Sequence, residues 1–295
     1  MRSPNLIHVL CLGFAFCVAA SARADNWERF RGPNGVGISK DKNIPIKFSP
    51  TENVRWKIDI DSGHSSPVVW GDRLFVQTAS ADATKRSLLC VDAKTGKEIW
   101  KRSIPATRPK QKLRYDTSLA SATPTTDGQA VYVPFWDGKD IILTAYNFKG
   151  DKLWDRNLGE FVSQHGAGAS PILYKDLVIF SMDKDSFRDT SKKTGPVANP
   201  SVLYGLDKKT GKTVWEEPRE AVRACYSVPF FLDRGTKTPE LMVTSTTAIT
   251  SYNPETGKPN WYWNWTFKND PLRTIASTTY ANGMLLAMSG DGSGE

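Results

Sequence analysis

The sequence predicts an all-β fold, a β-propeller of four-stranded blades with about four full blades and partial ones. Three observations predict it. Four segments share one pattern of small residue, Asp or Asn, Gly and Trp in a common register. A second pattern, a short inner strand and a tight turn, precedes each of them. Helix-favouring runs are scarce, while 22 Gly and 18 Pro are spread along the chain, which suits many short strands joined by turns.

The first 24 residues read as a secretory signal. Arg2 supplies the positive start, Leu6 to Ala20 is mostly apolar, and Ala22-Arg23-Ala24 is an A-x-A cleavage site. The mature chain then begins at Asp25 and is periplasmic or secreted. A membrane anchor is the other reading, but the apolar run is short for a span and ends in small residues. Cys11 and Cys17 lack the small residues expected just before a lipidated cysteine. No later segment is long and apolar enough to cross a membrane. Losing Arg2 and Arg23 lowers the formal charge from +8 to +6.

Residues 25–53 form a leader, and residues 54–295 carry the repeats. Around Trp56, NVRWKIDI resembles EIWKRSI around Trp100 and predicts an outer strand with no blade before it. In a closed propeller such an orphan strand completes the last blade.

The repeats follow in order. The first is CVDAKTGKEIW, with Cys90, Asp92, Gly96 and Trp100. The second, AYNFKGDKLW, is one residue shorter, with Ala145, Asn147, Gly150 and Trp154. The third is GLDKKTGKTVW, with Gly205, Asp207, Gly211 and Trp215. The fourth is SYNPETGKPNW, with Ser251, Asn253, Gly257 and Trp261, where Trp263 and Trp265 offer alternative registers. In each unit a strand ends at the Asx residue, whose side chain caps a turn. Gly supplies positive φ there, and the next strand carries Trp. One sheet cannot bury both its faces, so Trp100, Trp154, Trp215 and Trp261 are expected to dock on neighbouring blades. The small residue that opens each pattern makes room for a ring, and Cys90 is therefore a packing residue.

Ahead of each repeat lies an inner strand opened by Pro67, Pro124, Pro171 or Pro229, with Thr278 in the fifth copy. Their spacings are 57, 47, 58 and 49 residues, the length of a propeller blade. Proline is tolerated there because it need not donate to the ladder. Asp127-Gly128 and Asn282-Gly283 mark tight turns to the second strand. Between Met182 and Val202 a polar insertion interrupts the third blade. Two strands ending near Met288 open a fifth blade, and SGDGSGE carries no docking pattern. A chain truncated in that blade, with an open ring, is expected over a closed one.

Taken together, these repeats resemble those of pyrroloquinoline-quinone-type (PQQ-like, quinoprotein-like) propellers. The opening WERFRGPNGVGIS, with Trp27, Phe30, Arg31, Gly32 and Pro33, is similar to the leader of exported PQQ-like proteins of planctomycete-type bacteria, as are GHSSPVVWGD, SQHGAGASP and RACYSVP. The resemblance covers Asp25 to Glu295. It implies two kinds of function. Quinoprotein alcohol and glucose dehydrogenases use an acidic base, a calcium site and, in many, a vicinal disulfide. No two cysteines are adjacent here, and no acid sits in a matching motif, so PQQ and calcium are not supported by site residues. The propeller lipoprotein of outer-membrane protein assembly binds partner proteins without chemistry, though its lipobox is absent here.

Candidate site residues are few. His64, with Ser66 beside it, and His165 sit just before inner strands, and Tyr226 with Arg223 occupies the analogous place in the fourth blade. Inner-strand entrances line one mouth of a propeller channel, so these five residues could bind a polar or anionic ligand. The alternative is that they cap strand backbones. No third metal ligand accompanies the histidines. Asp183 and Asp185 are solvated loop acids or cation ligands. The run KRSIPATRPKQKLR at 101–114 holds six basic residues and no acid; it is a solvated loop or a contact for an anionic partner. Asn264-Trp265-Thr266 fits a glycosylation sequon. Cys90 and Cys225, 135 positions apart, read as buried free thiols.

Nucleophile-elbow, phosphate-loop, zinc-hydrolase and nucleic-acid motifs are absent. The sequence thus favours a non-catalytic exported propeller that binds protein partners or a small polar ligand. The alternative is a periplasmic PQQ- and calcium-dependent alcohol or sugar dehydrogenase.

Overall fold

A computed structural model of the chain describes residues 26–42, 44–110, 112–115, 117–185, 200–264 and 273–288. The signal segment, most of the polar insertion, the last two sequon residues and SGDGSGE lie outside them. Among the described residues the only helical element is a three-residue turn, Pro33–Gly35. Everything else regular is antiparallel sheet.

Four sheets have four strands each, and each is a simple meander. The first runs β1 (Val68–Trp70), β2 (Arg73–Ala79), β3 (Lys85–Asp92) and β4 (Glu98–Pro105). The second runs β5 (Thr125–Thr126), β6 (Ala130–Trp136), β7 (Asp140–Asn147) and β8 (Lys152–Glu160). The third runs β9 (Ile172–Tyr174), β10 (Leu177–Met182), β11 (Ser201–Asp207) and β12 (Thr213–Arg219). The fourth runs β13 (Phe230–Leu232), β14 (Glu240–Thr244), β15 (Ala248–Tyr252) and β16 (Pro259–Asn264). A two-stranded hairpin, β17 (Thr279–Ala281) and β18 (Met284–Leu286), opens a fifth unit. Its turn places Asn282 at φ 50° and Gly283 at φ 79°, the left-handed pair that a two-residue hairpin requires. This is a β-propeller of tryptophan-docked blades.

The repeat pattern sets the register. In all four sheets the small residue lies directly opposite the tryptophan: Cys90 faces Trp100, Ala145 faces Trp154, Gly205 faces Trp215 and Ser251 faces Trp261. A bulge follows that pair in every sheet, where the extra residue bends the strand into the turn. The Asx side chain closes the turn. Asp92 Oδ1 accepts the N–H groups of Lys94 and Thr95 at 3.0 and 2.8 Å, and Asp207 Oδ1 accepts those of Lys209 and Thr210 at 3.1 and 2.8 Å. Asn147 and Asn253 do the same in their blades.

The tryptophans carry the blade-to-blade contact. Trp100 Nε1–H donates to Phe148 O at 3.0 Å, and Trp154 Nε1–H to Lys208 O at 2.9 Å, each acceptor being the carbonyl just after the next blade's Asx. Trp215 lies on Gly257, where an added Cβ would come within 2.4 Å of its ring. Trp100, Trp154 and Trp215 are 6, 8 and 8% exposed. Trp261 differs: it is half-buried, and its N–H bonds Glu240 Oε2 within its own sheet at 2.6 Å. Beside it Tyr262 and Trp263 are exposed.

Two expectations need correction. Residues 54–60 form no strand, because no described strand lies beside them to supply a ladder. Trp56 nevertheless docks as its counterparts do, donating to Ala93 O at 3.0 Å and lying on Gly96. The basic run is not one loop either. Its first five residues belong to β4, where Lys101 pairs with Asp61 and Arg102 bonds Gly150 O at 2.7 Å.

Candidate functional site

Each blade's entrance is stitched to the next. The inner strand's channel edge has no ladder partner in its own sheet, so its backbone groups must bond elsewhere. Ser66 N–H donates to Thr123 Oγ1 at 3.1 Å, Thr123 N–H to Ser170 Oγ at 2.9 Å, and Val228 N–H to Ser277 Oγ at 3.2 Å. All occupy one repeat position, the residue before the inner-strand proline or its Thr278 counterpart. Val228, without a hydroxyl, interrupts the series. One step earlier, His64 and Ser65 N–H groups share Ala120 O, as Tyr226 and Ser227 share Thr274 O.

Between these entrances lies a cavity of about 470 Å³. Arg114, His165, Tyr226 and Arg273 form its polar wall, and Phe30 and Val228 contribute apolar surface. Tyr226 is fixed in place. Its hydroxyl donates to Gly166 O at 3.1 Å and accepts from Ser163 Oγ at 2.6 Å, and Ser163 Oγ accepts His165 N–H at 3.1 Å. The ring lies on Gly168, where a Cβ would fall 2.9 Å from Cδ1. Burial pushes the phenol up to about 12, so it stays a neutral hydrogen-bonding group at ordinary pH.

Two buried ion pairs correct the reading of Asp183 and Asp185 as solvated loop acids. Asp183 meets Arg219 Nε at 2.9 Å, with both side chains almost fully buried. Asp185 Oδ2 accepts Arg273 Nη2 at 2.7 Å and Gln164 N–H at 3.1 Å, while Oδ1 accepts Ala224 N–H at 2.9 Å. Asp185 thereby ties the ends of blades three and four to the segment before the fifth unit and steadies the residue next to His165. Both acids are spent on cations and amides.

Of the candidates read from sequence, His165 and Tyr226 come together at the cavity. Ser66 acts through its backbone, which bonds Thr123, and through its carbonyl, which accepts Ser65 Oγ at 3.2 Å. His64 is exposed and does not line this cavity, and neither does Arg223, whose carbonyl receives the Cys225 thiol at 3.5 Å. Local sequence does not mark Arg114, Arg273 or Phe30 as ligand-binding residues. Arg114 closes the basic run, a usable signal; Arg273 had none.

Calcium and a quinone do not fit these side chains. The cavity wall carries no carboxylate, and among the described residues no three His, Cys, Asp or Glu side chains converge on a point.

The stitched, tryptophan-docked sheets and the cavity between their inner strands define a PQQ-type propeller repeat protein. The chain belongs to the family described as outer membrane protein assembly factor BamB, whose pattern it matches over residues 41–218, more than half its length. No curated protein sequence matches it. Among solved structures it is similar to a quinohemoprotein alcohol dehydrogenase, ADHIIG, from Pseudomonas putida HK5, with TM-score 0.47 and 18% identity over 67% of this chain and 34% of that one. It is similar to BamB from Moraxella catarrhalis, with TM-score 0.48 and 15% identity over 77% and 60% of the two chains. It is also similar to a europium-containing methanol dehydrogenase, with TM-score 0.49 and 14% identity over 85% and 61%. The chain thus spans between about one third and three fifths of the length of these structures. No described helix is long and apolar enough to cross a membrane.

Proposed function

We propose that this chain is a non-catalytic, exported propeller that holds an anionic or polar group of a ligand or partner protein at its channel mouth. One observation carries the reading: the cavity wall presents Arg114, His165 and Tyr226 beside the Arg273–Asp185 ion pair, and none of its lining residues is a carboxylate. A wall of donors over an apolar floor favours an anion with an apolar body. The alternative, a quinone- and calcium-dependent oxidoreductase, has family kinship behind it but no matching donor set among the described residues.

Calorimetric titration tests the proposal. Acidic peptides carrying one aromatic or aliphatic side chain should bind the intact protein, and their amidated, neutral counterparts should bind at least tenfold more weakly. Arg114→Ala or His165→Gln should remove most of that preference without lowering the melting temperature appreciably. Equal binding of acidic and neutral peptides, or binding indifferent to both substitutions, contradicts it.

A further inference from the structure

The leader is not a tail. Asn26 Oδ1 accepts Gly71 N–H at 2.9 Å, at the turn end of β1. Trp27 exchanges two backbone hydrogen bonds with Val69, both 2.8 Å, adding a bridge to the channel edge of the first sheet. Glu28 O accepts Thr126 N–H at 2.9 Å and Thr125 Oγ1–H at 3.1 Å in the second sheet. Phe30 packs against the core that Ile172 of the third sheet shares with Val228 at the mouth of the fourth. Arg29, 4% exposed, donates to Pro229 O, and Asn34 exchanges two bonds with the backbone of Phe231 in β13, at 2.8 and 2.9 Å. The segment therefore reaches all four sheets in turn.

It also has a fixed shape of its own. Gly32 and Gly35 both have positive φ, and a Cβ on either would strike Trp27 at 2.5 Å or Arg29 at 2.9 Å. Trp27 and Arg29 are thus packed against the segment's own turn while they bond opposite ends of the arc of blades. Inner strands present unpaired backbone groups along their channel edges, and this segment satisfies some of them on the first, second and fourth sheets.

We propose that residues 26–37 form an internal strap that clamps the first blade to the fourth and, through Phe30, builds the floor of the cavity. The strap moves as one unit. Releasing it at the Asn34 end loosens its grip on Val69, which lies in the blade at the other end of the arc.

Hydrogen exchange read by mass spectrometry on the full chain tests it. In Asn34→Ala, amides at 230–232 and at 68–70 should both exchange at least tenfold faster, while those of β6 and β7 keep their wild-type rates. Asn34→Asp retains an acceptor for Phe231 N–H and should give a smaller change at both places. Faster exchange at 230–232 alone would show that the strap is not a unit. An even acceleration across all blades would show a general loss of stability rather than a released strap. Either result overturns the proposal.

Discussion

Trp154 of the second blade lies flat on Gly211 of the third. Its indole N–H reaches Lys208 O at 2.9 Å, and a Cβ at Gly211 would come within 2.5 Å of the ring. The same geometry joins Trp56 to Gly96 and Trp100 to Gly150, while Trp215 shares only the ring contact, on Gly257, its indole N–H having no such bond. Blade-to-blade cohesion rests on this repeated contact between a large ring and a glycine at positive φ.

Trp154→Ala should therefore cost about 3–5 kcal/mol, the range for truncating a buried aromatic side chain. Trp154→Phe should cost less, since it keeps most of the ring but loses the bond to Lys208. Chemical denaturation followed by circular dichroism measures both, and a cost under about 1 kcal/mol for the alanine variant contradicts the docking account.

Gly205 makes a sharper test, because it lies directly opposite Trp215 within one sheet. A Cβ there would sit 2.2 Å from Cε2, and the backbone on either side is held in the ladder. Gly205→Ala should destabilise the chain by more than about 1 kcal/mol, and Trp215→Leu in the same chain should recover part of the loss. Simple addition of the two effects would place the clash elsewhere.

How much of this was legible in sequence follows from distance along the chain. The Asx-Gly-Trp unit spans about ten residues, so its turn and the small residue that makes room for the ring could be read locally, whereas the bulge between them could not. Trp56 could be recognised as a docking residue, but whether its segment forms a strand depends on a neighbour that no local pattern reveals. The strap was invisible: Arg29 and Pro229 are 200 positions apart, and Asn34 and Phe231 are 197 apart. Asp183 and Asp185 read as loop acids because Arg219 and Arg273 lie 36 and 88 residues further on. His64 and His165 occupy similar sequence positions, yet His165 alone lines the cavity. A repeat fixes position within a blade, not what the intervening loops place beside it.

Asp183→Asn should be strongly destabilising, by about 3–5 kcal/mol, because it leaves the Arg219 guanidinium buried without its counter-charge. The double variant Asp183→Asn with Arg219→Met should be more stable than the single one. Urea titration of the three proteins decides this, and a double variant less stable than Asp183→Asn would show that the charge pairing is not the cause.

Stability should fall at alkaline pH. Burial pushes the Cys90 and Cys225 thiols from 9.0 up to about 12, and the Tyr226 phenol from 10.0 up to about 12. Between the unfolded and folded values the unfolded chain binds fewer protons, so unfolding is favoured as pH rises. The contribution is whole below pH 9 and is lost progressively towards pH 12. Urea midpoints at pH 8 and pH 10.5 should show the decline, with a shallower one in Cys90→Ala/Cys225→Ala. In the native protein at pH 9 both thiols should resist iodoacetamide; rapid labelling contradicts their burial.

The central claim, that this propeller binds without catalysing, meets its most direct test in dye-linked oxidation. The full chain, incubated with pyrroloquinoline quinone and calcium, is assayed with primary alcohols and aldose sugars. The account predicts no dye reduction above that of quinone and calcium alone. Reduction that requires the protein, the quinone, calcium and one of these substrates together would contradict it.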